Sequence, residues 1–199
     1  MTMSLSLLLS MSAFAAAASI SPGPVNLLVL STAMRVGWRR SLPLVLGASA
    51  GFTVLLWLIG LGMIELWERV PLLRQVVRLG GVAFLVWLAW RLACSDGELD
   101  IETPGEPAGA GTGALMQWLN PKAWLASAAG MGAFVADGNL VLVTVFALLW
   151  GSLCALSIGL WALAGSRLSQ WVSSPRRMQG MNRALAGLLA LSAGILLLG

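Results

Sequence analysis

Six long apolar stretches, separated by short segments that contain arginine, organise the 199-residue chain. They cover residues 5–34, 42–64, 72–94, 113–136, 140–164 and 183–199, and the last is the shortest. A helix that crosses a bilayer needs about 20 predominantly apolar residues, so each stretch predicts one crossing. The pattern therefore predicts an all-α integral membrane protein with six transmembrane helices.

Two of the six stretches are interrupted by residues that cannot continue a helix. The first contains Ser21-Pro22-Gly23-Pro24-Val25-Asn26, and the fourth contains Asn120-Pro121-Lys122. Each proline lacks an N–H group and its ring clashes with the preceding turn, while glycine adds backbone freedom. Backbone groups freed in a bilayer are tolerated only where protein or a water-filled cavity meets them. Interrupted helices in corresponding halves of a chain are the sequence feature that best indicates a transporter's binding site.

The two halves of the chain share this pattern. Residues 1–94 and 113–199 each contain three stretches with the break in the first, and residues 95–112 form an acidic linker between them. Because three is odd, the halves insert with opposite orientation, which predicts an inverted repeat. Pro24 lies 11 residues before Arg35, and Lys122 lies ten residues after Thr112. At about 1.5 Å per helical residue both breaks lie near the middle of a ~30 Å hydrocarbon core, so they are predicted to meet.

Arginine is distributed unequally over the predicted loops. Eight arginines lie in the odd-numbered loops and three lie on the opposite side. Since cytoplasmic loops are enriched in Lys and Arg, the bias places the acidic linker in the cytoplasm and both termini outside. No Lys or Arg precedes Arg35, so the first stretch lacks the charged start of a signal peptide and is predicted to be retained as a span.

Composition narrows the classes of function. Charged residues make up 10% of the chain and hydrophobic residues 58%, whereas a soluble domain carries about 25% charged residues. The basic residues form no clustered stripe, which argues against nucleic-acid binding. The chain has no histidine, and the apolar stretches lack convergent acid and base groups. No catalytic residue, metal site or cofactor is therefore predicted, and Cys94 and Cys154 are predicted to be free, mostly buried thiols.

The residues at the two breaks are the candidate substrate-binding residues: Pro22, Gly23, Pro24, Asn26, Asn120, Pro121 and Lys122. A cation deep in a span, as predicted for Lys122, is costly and usually functional; the alternative is that Lys122 snorkels to the interface. The prolines could instead serve only as a packing kink. Asn26 and Asn120 carry donors and acceptors that suit a carboxylate or an amine, and Gln117 is a weaker candidate one turn before Lys122.

Motifs along nearly the whole chain match one family pattern. They are Ser21-Pro22-Gly23-Pro24, Gly37-Trp38-Arg39-Arg40, the pair Gly47 and Gly51, Leu79-Gly80-Gly81 with Leu85, Trp87, Trp90 and Arg91, and Leu119-Asn120-Pro121-Lys122-Ala123. Together they resemble the lysine exporter (LysE/RhtB type) family of translocators. The resemblance implies export of amino acids or related small metabolites across a bacterial inner membrane, driven by the proton gradient.

One position departs from that family pattern. Many members carry Asp directly after the glycine pair, where this chain has Phe52. The nearest other acids are Glu65 and Glu68, beside the second stretch, and Asp137, at the end of the fourth. An intramembrane acid is the usual proton-coupling or cation-binding group, so its absence indicates a neutral substrate rather than lysine. The carboxylate of that substrate is expected at Lys122 and at the helix that restarts after Asn120.

The expected partners are a small-molecule substrate and the lipid bilayer, without nucleic acid. A homodimer is left open. Two other functions are left open as well: a non-transporting membrane scaffold or subunit, and an exporter of another small solute.

Overall fold

A computed structural model describes residues 4–63, 69–94, 108–135, 139–171 and 174–198. Over these ranges the chain forms eight α-helices and no strand, which confirms the predicted all-α class. The helices are α1 Leu5–Ile20, α2 Pro24–Arg40, α3 Leu42–Leu58, α4 Pro71–Ala93, α5 Ala110–Trp118, α6 Pro121–Phe134, α7 Leu140–Trp171 and α8 Pro175–Leu198. A π-helical turn, Ile59–Met63, extends α3.

Several helices begin at side-chain caps. The hydroxyl of Ser4 accepts a hydrogen bond from the Leu7 N–H at 3.2 Å at the start of α1. At the start of α7, the Asn139 side chain accepts from the N–H groups of Val141 and Leu142 at 3.0 and 3.2 Å. Such caps satisfy N–H groups that have no partner within the helix, so these polar residues fix where the apolar helices start.

Two helical segments are long and apolar enough to cross a membrane, residues 42–62 and 140–170. The pair α1 and α2 forms a third candidate, bent by 58° at the break between the two helices. The helices α5 and α6 have 9 and 14 residues and are individually too short. The helices α4 and α8 each contain three arginines, which lowers their mean hydropathy.

Two predicted boundaries differ from the structure. The last helix begins at Pro175 rather than at residue 183, because a helix can continue through the arginines that end an apolar stretch. The helix α5 begins at Ala110, inside the range predicted as a linker. Residues 95–107 of that linker lie outside the described residues, as do Glu65, Glu68 and Asp137.

The centre of the fold is the first part of α2, where every residue from Pro24 to Met34 is buried. The helix α7 packs against α1, α2 and α3, α3 also packs against α5, and α4 packs against α8. The core therefore lies around α2, α3 and α7, with α4 and α8 as a second pair. The break between α1 and α2 lies next to this buried centre.

Glycine permits the close crossing of α3 and α5. A Cβ atom on Gly47 would overlap the backbone carbonyl of Ala110, and one on Gly51 would lie 2.7 Å from the Cα atom of Ala114. Small residues let membrane helices approach in this way. Glycine has a second use at Gly37, whose φ of 79° interrupts α2 just before Arg39 and Arg40, because few other residues adopt a positive φ.

Candidate functional site

The first break separates α1 from α2 with only three residues, Ser21 to Gly23. Ser21 ends α1 in an extended conformation, and Pro24 occupies the first turn of α2, where its missing N–H costs nothing. The sequence Pro-Gly-Pro thus ends one helix and starts the next, as predicted. The break leaves the carbonyl end of α1 and the N–H end of α2 close together in the chain.

The second break separates α5 from α6 at Leu119 and Asn120. The Asn120 side chain accepts a hydrogen bond from the backbone N–H of Lys122 at 3.2 Å, and the Asn120 carbonyl accepts from the Ala123 N–H at 2.9 Å. Pro121 has no N–H to satisfy. The N-terminus of α6 is therefore already capped, and the prediction that its N–H groups are free for a substrate carboxylate is wrong.

The two breaks meet through Lys122. Its ammonium group donates to the Ser21 hydroxyl at 2.7 Å and to the backbone carbonyls of Ser21 and Pro22 at 3.3 Å each. These acceptors lie at the C-terminal end of α1, where the helix dipole carries partial negative charge. Lys122 is thus held in the structure as a counter-charge to the end of α1, and contact between the two breaks agrees with their predicted depth.

Three further side chains satisfy the end of α1. The Asn26 amide donates to the carbonyls of Ser19 and Ser21, at 3.1 Å each. The Ser157 hydroxyl donates to the Ser19 carbonyl at 3.0 Å, and the Trp150 indole N–H donates to the Ser19 hydroxyl at 3.1 Å. Asn26, Ser157 and Trp150 are all buried. Freed carbonyls inside a membrane protein need such donors.

The start of α2 differs from the start of α6, because no side chain caps it. Gly23 precedes the helix and has no side-chain oxygen, and the first backbone hydrogen bond runs from the Leu27 N–H to the Gly23 carbonyl at 3.0 Å. The N–H groups of Val25 and Asn26 therefore have no partner within the helix. The uncapped, positive end of a helix lies at the first break rather than at the second.

A cavity of about 60 Å³ lies where the two breaks meet. Among its lining residues are Ser19, Ser21, Gly23, Val25, Asn26, Phe52, Gln117, Asn120, Lys122, Trp150 and Cys154. Among these lining residues, Lys122 is the only side chain with a formal charge, and none is an acid. Within the described ranges, no group of three or more His, Cys, Asp or Glu residues could hold a metal ion. The cavity is small, and its mostly apolar wall carries a few polar groups and one cation, which suits a small solute with a polar end.

The seven candidate residues divide into two groups in the structure. Gly23, Asn26, Asn120 and Lys122 line the cavity, whereas Pro22, Pro24 and Pro121 shape the ends of the helices beside it. Gln117, the weaker candidate, is buried in the cavity wall, with its amide nitrogen 3.9 Å from the Cys154 sulfur. The prediction of mostly buried thiols is right for Cys154 and wrong for Cys94, which is exposed; both are free.

Sequence reasoning missed the contribution of α7 to the cavity. Trp150 packs edge to face against Phe14 and Phe52, with ring centroids 5.3 Å apart in both pairs, and Ser157 and Ile158 lie on the same helix. Trp150, Ser157 and Ile158 all fall in the fifth apolar stretch. Ser157, as a polar residue within that stretch, was an available signal that α7 faces the site.

The LysE type translocator family matches residues 16–199 of this chain. A homoserine/homoserine lactone efflux protein of Salmonella typhimurium LT2 is 24% identical over 187 residues, which is 89% of each chain. A cysteine/O-acetylserine efflux protein of Klebsiella pneumoniae is 32% identical over 153 residues, 74% of this chain and 76% of the relative. A protein of the same description from Escherichia coli O1:K1 / APEC is 31% identical over 156 residues, with the same coverage.

No solved structure gives a significant match to the chain. The family match nevertheless covers almost the whole sequence, including both breaks and every residue that lines the cavity. The predicted family is confirmed: this chain belongs to the LysE type translocator family and is a membrane transporter rather than an enzyme.

Proposed function

We propose that this protein exports small neutral amino acids, or related carboxylated metabolites, and that the cavity at the two breaks is the substrate site. One observation carries the proposal. The negative end of α1 and the uncapped positive end of α2 lie three residues apart, beside a cavity whose wall includes Ser19, Asn26 and Lys122. An α-amino acid is a zwitterion whose ammonium and carboxylate groups are separated by one carbon atom, so it complements two opposite helix ends at short range.

Each of the seven candidate residues has a place in this proposal. The carboxylate would bind the N–H groups of Val25 and Asn26 at the start of α2, a position that Gly23 leaves uncapped. The ammonium group would bind the Ser21 and Pro22 carbonyls. Pro22 and Pro24 hold the two helix ends apart, and Asn120 with Pro121 positions Lys122.

The size and charge of the cavity support a small, neutral substrate. Its volume of about 60 Å³ is far below the ~300–1,000 Å³ of pockets that hold drug-sized ligands. A lysine or arginine side chain would need a second anionic partner, and Phe52 occupies the cavity wall where many family members have Asp. The relatives named above are described as efflux proteins for homoserine, homoserine lactone, cysteine and O-acetylserine, which are small metabolites without a cationic side chain.

The proposed architecture is six membrane crossings arranged as two inverted three-helix repeats in a bacterial inner membrane. Corresponding helices of the two halves pack against each other, α3 against α7 and α4 against α8, and the two breaks are in contact. The helices α4 and α8 have 23 and 24 residues, enough at ~1.5 Å per residue to cross a ~30 Å core. Their arginines can extend to the interfaces.

Efflux from proteoliposomes tests the function. Purified protein is reconstituted and loaded in turn with labelled serine, threonine, homoserine, cysteine, O-acetylserine, leucine or lysine. We expect efflux of at least one neutral amino acid above that of empty liposomes, and little efflux of lysine. Efflux of none of them would contradict the proposal and favour a non-transporting role, while lysine efflux equal to that of neutral amino acids would contradict the predicted selectivity.

The role of the first break is tested by replacing both Pro22 and Pro24 with Ala. Alanine favours a helix interior by about 3 kcal/mol relative to proline, so the double variant should insert and fold but export poorly. Pro43→Ala is the matched control, since Pro43 lies in the first turn of α3, away from the cavity. Full export by the double variant would show that the break is not part of the site.

The proposed orientation places both termini outside and the end of α4 in the cytoplasm. Cys94 follows α4 and is exposed, whereas Cys154 is buried, so the native protein carries one accessible thiol for labelling. In intact cells Cys94 should react with a membrane-permeant maleimide and not with an impermeant one. Labelling by the impermeant reagent would reverse the orientation.

A further inference from the structure

All three donors of the Lys122 ammonium group are occupied by the protein. A lysine ammonium has three N–H donors and no acceptor, and Lys122 contacts three acceptors: the Ser21 hydroxyl, the Ser21 carbonyl and the Pro22 carbonyl. Lys122 in this state has no donor left for a substrate carboxylate. Its role in the site therefore differs from simple anion binding.

Two of these acceptors, the Ser21 and Pro22 carbonyls, are also the groups that the proposed function assigns to the substrate's ammonium. The lysine side chain and the substrate thus carry the same chemical group to the same place. Both cannot bind there together in charged form, because two ammonium groups would share one set of acceptors at the end of α1 and repel each other.

Other charged groups are absent from the immediate surroundings of Lys122 within the described residues. Cys154 is the only other titratable residue in the cavity wall. Of the elements packed against α6, the helices α1, α3 and α5 and the π-helical turn contain no charged residue. The helix α7, whose Phe146 ring packs against Phe134 of α6, contains Arg167, which lies 21 residues further along the chain than Phe146. The helix α4 contains Arg74, Arg78 and Arg91; Arg78 donates to the Leu197 carbonyl at 2.9 Å, and Arg91 stacks on the Trp87 ring.

We propose that Lys122 is a tethered competitor of the substrate's ammonium group, and that this competition couples export to proton entry. The inference rests on the proposed function, since it takes the substrate to be a zwitterion bound at the first break. In transporters with discontinuous helices, carbonyls at such helix ends coordinate the coupling cation. Here the chain supplies its own cation, so transport should not require sodium.

The proton is accounted for at each step. When a zwitterionic substrate binds from the cytoplasm, its ammonium takes the Ser21 and Pro22 acceptors, and Lys122 leaves them and loses one proton to cytoplasmic water. When the substrate leaves on the outer side, Lys122 takes one proton from outside and returns to the acceptors as an ammonium group. One cycle moves one substrate out and one proton in. The loaded site, with neutral Lys122 and a zwitterion of zero net charge, carries one positive charge fewer than the empty site, so each cycle moves one positive charge inward.

Proton release on binding is the first test, and it uses the unmodified protein. The neutral amino acid of the panel that is exported fastest is added to purified protein in weakly buffered detergent solution, and released protons are measured with a pH-sensitive dye. We expect one proton per bound substrate, and none from Lys122→Met. Substrate binding by the unmodified protein without proton release would overturn the inference and leave the proposed function intact.

Two substitutions at Lys122 should differ in substrate exchange, measured in proteoliposomes, while both lose driven accumulation. Lys122→Met removes the competitor, so we expect substrate exchange without a pH gradient to persist and accumulation driven by a pH gradient to be lost. Lys122→Arg keeps a cation that does not lose its proton, so we expect both exchange and driven accumulation to be lost. Arg91→Met is the matched control, because it removes a membrane-helix cation away from the cavity.

A monodisperse elution profile for each variant shows that the protein is folded. Driven accumulation by Lys122→Met, or driven accumulation by Lys122→Arg, would overturn the inference, and so would loss of exchange by folded Lys122→Met. Absence of exchange by the unmodified protein with every amino acid of the panel would overturn the proposed function, and the inference with it.

Discussion

The Asn26 side chain ties the two helices of the first break together, and its replacement by leucine separates structural from transport effects. Its amide donates to the carbonyls of Ser19 and Ser21 at 3.1 Å each, while the residue itself belongs to α2. The side chain is 6% exposed. Leucine has a similar size and no donor, so Asn26→Leu removes both hydrogen bonds with little change in packing.

The magnitude follows from what the two carbonyls retain. The Ser19 carbonyl keeps the Ser157 hydroxyl at 3.0 Å, and the Ser21 carbonyl keeps Lys122 at 3.3 Å. Neither acceptor is left unpaired, so the loss should be that of two ordinary hydrogen bonds. Each contributes about 0.5–1.5 kcal/mol, and interhelical bonds in membranes average about 0.6 kcal/mol. The free energy of unfolding should therefore fall by about 1–3 kcal/mol.

A thermal melt of the purified variant and an efflux assay check this prediction together. A loss of about 1–3 kcal/mol corresponds to a fall in Tm of about 2–12 °C for a chain of this length, with most of the protein still folded at the assay temperature. The efflux rate should fall by more than the small loss of folded protein can explain, because the ends of α1 and α2 are no longer held in register. The control is Ser31→Ala, since the Ser31 hydroxyl is buried on the same helix and donates to the Leu28 carbonyl of that helix. An Asn26→Leu variant with unchanged Tm and unchanged efflux would refute the reasoning.

Two further predictions concern the α3 helix. Gly47→Ala should destabilise the protein by about 1–3 kcal/mol or more through overpacking, since the new Cβ atom meets the backbone of α5. The control Gly194→Ala, with open space around it, should be neutral or slightly stabilising. Equal melting temperatures for the two variants would contradict the close crossing of α3 and α5. Phe52→Asp should reduce efflux of neutral amino acids and allow efflux of lysine, because it places a carboxylate in a cavity wall whose lining otherwise carries no acid. The control Phe52→Leu keeps the wall apolar and should keep the original selectivity. A Phe52→Asp variant that still excludes lysine in the same efflux assay would show that this position does not select for charge.

The position of the two breaks and their contact could be predicted because proline and glycine act locally. Pro22 and Pro24 exclude a continuous helix whatever surrounds them, and counting residues from the charged ends of each apolar stretch predicts similar depths for the two breaks. The contact between Lys122 and Ser21 at 2.7 Å follows from those two facts. Two of the family motifs, Ser21-Pro22-Gly23-Pro24 and Leu119-Asn120-Pro121-Lys122-Ala123, could be read for the same reason, since they contain these breaks.

The partners of each polar group could not be predicted, because most of them are backbone atoms or belong to distant helices. The Ser21 and Pro22 carbonyls accept from Lys122 irrespective of their side chains, so residue type gives no indication of them. Trp150 and Ser157 reach Ser19 through the rotation of α7 about its axis, and a uniformly apolar helix gives no periodic signal for that rotation. The start of α8 was predicted eight residues too late, because the apolar stretch ends at the arginines whereas the hydrogen-bonded helix continues through them.

The two breaks differ in how the ends of their helices are capped, and in the proposed function this difference lets one site bind a zwitterion. At the second break, Asn120 caps the new helix and consumes its free N–H groups. At the first break, Gly23 cannot cap α2, and the carbonyls of α1 are met by donors from Asn26, Ser157 and Lys122. A symmetric pair of caps would leave nothing for a carboxylate, and a symmetric pair of uncapped ends would leave buried N–H groups on both sides without partners, at a cost of ~1–3 kcal/mol each. One capped end and one open end leave a single place for the anion, and Lys122 from the capped side reaches the acceptors for the cation.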